Sequence, residues 1–122
     1  MAEEISIPWV QAPWTCKCTA YVLIFFTFSS KGLPHDITYD PLEGQSGPFM
    51  EDSQAGAFKG GTGMIEIVRY SETPVGPYDE IVLIPGEFET PGKKERGSRI
   101  TRIYVSQKET CYNGRRNWNI PK

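Results

Sequence analysis

The run Gly63-Met64-Ile65-Glu66-Ile67-Val68-Arg69-Tyr70, the link Thr73-Pro74-Val75-Gly76-Pro77, and the run Tyr78-Asp79-Glu80-Ile81-Val82-Leu83-Ile84 decide the fold. Side chains alternate with a period of two in both runs. In the first, Ile65 and Ile67 share one face, and Met64, Glu66, Val68 and Tyr70 share the other. In the second, Tyr78, Glu80, Val82 and Ile84 lie opposite Asp79, Ile81 and Leu83. That period belongs to strands, not helices. Pro74-Val75-Gly76-Pro77 is a turn signal and connects the two.

Working outward, Ile100 to Ser106 predicts a further strand, with Thr101, Ile103 and Val105 opposite Ile100, Arg102 and Tyr104. Upstream, a strand is expected from about Lys17 to Phe28. Its apolar run Tyr21–Phe28 is β-branched and aromatic, and far shorter than the roughly 20 residues of a membrane helix. Residues 1–15 carry Pro8-Trp9 and Pro13-Trp14 and read as an irregular lead-in with packing tryptophans. Ser29 to Thr62 is rich in turn signals and too long for an ordinary loop, so it is either functional or hides a short element. Gly60-Gly61-Thr62-Gly63 reads as turn glycines leading into a strand, since no GKS or GKT follows to make a phosphate loop. Lys93-Lys94-Glu95-Arg96-Gly97 reads as a solvated hairpin tip, with an anion site as the alternative. Gln107 to Gly114 predicts a short helix ending at Gly114.

Composition agrees with this pattern. Val, Ile and Thr make up 26 of the 122 residues, against 12 for Leu, Ala and Met, which favours strands. The expected class is mainly β with minor α, in one domain spanning 1–122. A net charge of −2 leaves no basic excess for a nucleic-acid partner. The acidic start Met1-Ala2-Glu3-Glu4 does not resemble a secretory signal, so a cytoplasmic protein with no membrane partner is expected. Cys16, Cys18 and Cys111 are odd in number, which suits reduced thiols. With His35, the single histidine, they could in principle hold zinc. The paired ligand spacing is missing, so inert thiols are expected and no metal is assigned.

Two segments carry chemistry. Glu80 shares its face with Val82 and Ile84. If that face is interior, Glu80 is a carboxylate in an apolar wall, the setting from which general acids and bases are made. If Ile81 and Leu83 are interior, Glu80 is merely solvated, and periodicity leaves both readings open. The other segment is Gly114-Arg115-Arg116-Asn117-Trp118-Asn119-Ile120-Pro121-Lys122. Adjacent guanidinium groups suit a carboxylate ligand. Surface arginines on a turn are the plainer reading.

The run Arg69-Tyr70-Ser71-Glu72-Thr73-Pro74-Val75-Gly76-Pro77-Tyr78-Asp79-Glu80 resembles the RY-x-x-TPVGPY-x-E stretch of the acetoacetate decarboxylase family. Ile100–Ser106 is similar to the strand that follows it. Gly114–Lys122 resembles the segment carrying the family's active-site lysine pair and ending in Pro-Lys. The resemblance covers about Gly63 to the C-terminus, with only Pro13-Trp14 and the strand at Tyr21 comparable before it. It implies a partial antiparallel barrel, cut at its C-terminal side, because family members are about twice as long. It also implies a lyase-like protein that binds or acts on a small β-keto acid or related carboxylate and needs no cofactor.

In the family a neutral lysine forms an imine with the ketone, and the imine accepts the electrons left by CO₂. Glu80 falls at the family's assisting glutamate. Arg115 and Arg116 stand where the lysine pair stands, and arginine cannot form that imine. Lys122 matches the later Pro-Lys lysine. The catalytic candidates are therefore Glu80 as acid or base, with Arg115 and Arg116 holding the anion. Tyr78, Tyr104 and Trp118 are the substrate-binding candidates. A non-catalytic barrel for a small hydrophobic ligand, or an inactive fragment, is the alternative. A half-barrel would expose edge strands and one apolar face, which favours a homo-oligomer.

Overall fold

A computed structural model describes residues 6–28, 38–41 and 55–120. Among these residues six strands and one full helix follow in order: β1 (Lys17–Thr27), β2 (Phe58–Glu72), β3 (Tyr78–Ile84), β4 (Glu87–Glu89), β5 (Arg96–Ser98), β6 (Arg102–Val105) and α1 (Lys108–Trp118). All pairings are antiparallel, in the order β5-β4-β2-β3-β6, with β1 on the other side of β2. Among the described residues the sheet does not close on itself. The mainly β class holds.

The 15-residue β2 organises everything else. Its first residues pair with β4, and from Gly61 onward it pairs with β1, then with β3. Gly60 and Gly61 were expected in a turn, but they lie inside this strand, at φ +73° and +90°. A pairing irregularity between Phe58 and Gly60 lets β2 change partners there. Gly63 is required for another reason. A Cβ at that position would meet the Phe25 ring at 2.4 Å and the Pro85 carbonyl at 2.8 Å.

The link between β2 and β3 is held by its own residues. The Gly76 N–H donates to the Thr73 carbonyl at 3.1 Å, with Pro74 at the second turn position, where its fixed φ is favourable. Thr73 Oγ1 accepts from the Val75 N–H and donates to the Gly76 carbonyl. The register then sets Tyr70 against Tyr78 and Val68 against Glu80. The basic cluster lies at the exposed turn between β4 and β5, as a hairpin tip should.

Helix α1 runs past the expected stop. Gly114 is buried inside it, and Asn119 closes it in the left-handed region, its N–H bonded to the Arg115 carbonyl at 3.1 Å. At the other end Gln107 accepts from the Thr110 N–H and donates to the carbonyls of Val75 and Pro77. One side chain thus caps the helix and ties it to the β2–β3 turn. The lead-in docks on the helix through Asn113. That side chain accepts from the Val10 N–H at 2.7 Å and donates to the carbonyls of Pro8 and Glu109.

The buried apolar side chains are Tyr39, Val68, Tyr78, Val82, Phe88 and Ile103. Most of Ser29–Thr62 and His35 lie outside the described residues, as does the chain end at Pro121-Lys122. Among the described residues no helix is long and apolar enough to cross a membrane.

Candidate functional site

Pairing lays side chains in rows across the sheet. Val68, Glu80 and Val105 form one row on the inner face, and Cys18, Tyr70 and Tyr78 form the next. Directly opposite residues of an antiparallel pair point to the same side. Glu80 is therefore interior: it is only 8% exposed, between buried Val68, Tyr78 and Val82, while Asp79 and Ile81 face outward. Of the two readings that periodicity allowed, the interior one holds.

Beside it, Tyr70 and Tyr78 stack with ring centroids 4.6 Å apart and planes 26° apart. Burial holds the Tyr70 phenol well above the ordinary tyrosine value of 10.0. The negative charge of Glu80 adds to this, followed by Tyr78, Cys18 and Cys16. Tyr70 thus keeps its proton at neutral pH. A carboxylate and a protonated phenol on one apolar wall can share the work of moving a proton and holding an oxygen by hydrogen bond. Tyr70 escaped the sequence reading. Its signal was the hairpin register, which sets it opposite Tyr78.

The other candidates lie elsewhere. Tyr104 pairs with Ile81, so it faces the opposite side of the sheet from Glu80. There it donates to Asp40 at 3.0 Å and accepts from Arg102. Because β-strand side chains alternate, Tyr104 and Glu80 cannot line one pocket within this sheet, and the grouping of Tyr104 with Glu80 is corrected. Arg115, Arg116 and Trp118 share the last turn and a half of α1. The Arg116 guanidinium sits 4.4 Å from the Trp9 ring centre and donates to the Tyr112 hydroxyl. Trp118 meets Trp14 edge-on at 5.2 Å. Both side chains therefore bind the lead-in to the helix.

The described lysines are all accounted for. Lys17 pairs with Glu72, and Lys59 with Glu89. Lys93 and Lys94 occupy the exposed β4–β5 turn, and Lys108 is exposed at the start of α1. The three cysteines are free thiols, and no three His, Cys, Asp or Glu side chains converge among the described residues.

No protein-family model matches the chain, and no curated protein or solved structure matches it either. The family resemblance rests on the quoted motifs alone.

Proposed function

We propose that this chain is an acetoacetate decarboxylase-like domain, an open part of an antiparallel barrel. It binds a small β-keto acid or related carboxylate on the Glu80 face. The observation that carries this is Glu80 itself: a buried carboxylate in an apolar wall, beside a phenol that keeps its proton, at the glutamate of the quoted motif. Glu80 carries the proton to or from the carbon next to the ketone. Tyr70 donates to the ketone oxygen, and Tyr78 forms the aromatic wall. Arg115, exposed near the end of α1, is the positive charge proposed for the carboxylate, while Arg116 is held by Trp9 and Tyr112. Imine chemistry has no part, because arginines stand at the nucleophile positions.

Calorimetric titration with acetoacetate tests the reading. Binding is expected for the wild type, Tyr78→Phe and Glu80→Gln, with at least roughly tenfold loss in the Arg115→Ala/Arg116→Ala double variant. Any decarboxylation should fall by about 10²-fold or more in Glu80→Gln. Borohydride with acetoacetate should trap no adduct. A trapped adduct on Lys122 would restore imine chemistry and overturn the arginine assignment.

One observation favours a second reading, in which the barrel holds a small hydrophobic ligand and the arginines are structural. Arg116 is already engaged by Trp9 and Tyr112. Under that reading the double variant binds acetoacetate no worse than the wild type.

A further inference from the structure

Cys16 and Cys18 stand at the start of β1 with Lys17 between them. Alternate residues of an extended chain point to one side. Lys17 is turned the other way and pairs with Glu72 at 3.3 Å. Both thiols therefore belong to the inner face. Cys18 lies directly across from Tyr70, and Tyr78 is the next partner in that row. Cys16 acts on the same Tyr70 phenol as Cys18 does, so the two thiols approach one point from successive inward positions of the chain.

The pair is open to solutes, because Cys18 is exposed and Cys16 is half-buried. The ladder is also irregular here. Its register skips Ser71 between the Lys17 and Cys18 pairs, and Cys16 precedes the first register partner. Irregularities of this kind re-aim side chains.

Neither thiol is in a disulfide. A disulfide needs Cβ atoms about 3.8 Å apart. Two same-face residues of a strand stand nearly twice as far apart, at two rises of about 3.3 Å. A metal bridge is longer. Two bonds of about 2.3 Å, as thiolate makes to zinc, set the sulfurs at most about 4.6 Å apart, which two side chains leaning together can span. Zinc asks for four ligands. Among the described residues no third His, Cys, Asp or Glu joins the pair. Cu(I) is a filled-shell, soft ion that accepts two thiolates in a line, and thiolates select it. The paired spacing missing from the sequence is a requirement of four-coordinate zinc, not of a two-coordinate ion.

We propose that Cys16 and Cys18 form a two-coordinate site for a soft monovalent cation, Cu(I). Each thiol gives its proton to solvent as its sulfur bonds the metal, and no oxidation state changes. The site does not depend on the carboxylate-binding reading of Glu80.

Anaerobic titration of the full chain with Cu(I), in competition with the chromophoric chelator bathocuproine disulfonate, is the test. One Cu(I) per chain is expected, with a thiolate-to-copper charge-transfer band in the ultraviolet. Cys16→Ser and Cys18→Ser should each weaken binding by at least roughly a hundredfold, since a single thiolate remains. Cys111→Ser should leave it unchanged, and an excess of Zn(II) should not displace the copper. Far-UV circular dichroism checks that the variants fold, and exposed Cys18 is the position least able to disturb the fold. A chain that takes no Cu(I) from the chelator overturns the proposal. Equal loss in Cys111→Ser also overturns it, by moving a ligand to α1. One Cu(I) per two chains overturns it by assigning the ion to Cys18 of two copies. Displacement by Zn(II) overturns the two-coordinate assignment.

Discussion

Across β3 and β6 the two faces of one sheet differ sharply in burial although both carry apolar residues. Ile103 on the inner face is 4% exposed, while Ile81 on the outer face is 44% exposed, although β3 and β6 supply both faces. The inner face buries a carboxylate between β2, β3 and β6, yet on β1 it leaves Val22, Ile24 and Phe26 51%, 66% and 57% exposed, as the outer face leaves Ile67 and Ile81. Apolar patterning alone therefore does not locate the core of this sheet. What separates the faces is which of them the rest of the chain packs against.

The largest effect that could break this contrast is a pair of identical truncations. Ile103→Ala should cost about 3 kcal/mol in urea unfolding, by lost burial and the cavity left behind. Ile81→Ala should change a monomer by within about 0.5 kcal/mol. Equal losses would mean that the outer face is buried in the folded species. Next comes Asn113→Ala, expected to cost about 2 kcal/mol. It strips the partners from the Val10 N–H and the Pro8 carbonyl at a fully buried position. If it also alters acetoacetate binding, the lead-in helps shape the inner face.

A smaller effect of opposite sign is expected at Thr101, which is 1% exposed and whose hydroxyl has no hydrogen-bond partner. Thr101→Val keeps the shape and removes an unsatisfied polar atom, so stability should rise by up to about 1 kcal/mol. The smallest effect is alkaline. The folded pKa of Tyr70 lies above its unfolded value, so its contribution is fully present below pH 10.0 and is lost as pH rises from there toward the folded value. Tyrosinate absorbance should show one phenol ionising late, and Tyr70→Phe should remove both the late step and the alkaline loss. A wild-type titration without a late step would place Tyr70 in solvent and weaken the inner-face site.

Much of the local structure was legible. The limits of β3 match the expected Tyr78–Ile84, and β1 differs from expectation by one residue. The turn at Thr73–Gly76 was legible because proline and glycine restrict the backbone locally. The short strands β4 and β5 were not foreseen as strands, since three residues carry too little periodicity to detect. The stop of α1 was misplaced because Gly114 is tolerated where it packs closely, and Asn119 takes the left-handed cap instead.

The candidate site divides in the same way. Glu80 and Tyr78 share a face by sequence alone, because alternation is a property of the strand. Tyr70 joins them only once the hairpin register is known. Tyr104 leaves them because β6 pairs with its odd-numbered residues facing outward or inward according to a register that no local pattern reports. Arg116 and Trp118 are drawn to Trp9 and Trp14, contacts spanning over a hundred residues of chain.

The sequence by itself determined β1, the central part of β2, β3, β6, the β2–β3 turn and which side chains share each of those strand faces, since these depend on backbone sterics and a two-residue repeat. Only the tertiary structure decided which face is inside, which aromatics reach Glu80 and what the arginines touch. Those are outcomes of register and long-range packing, where the free energy lies in contacts between segments rather than within them.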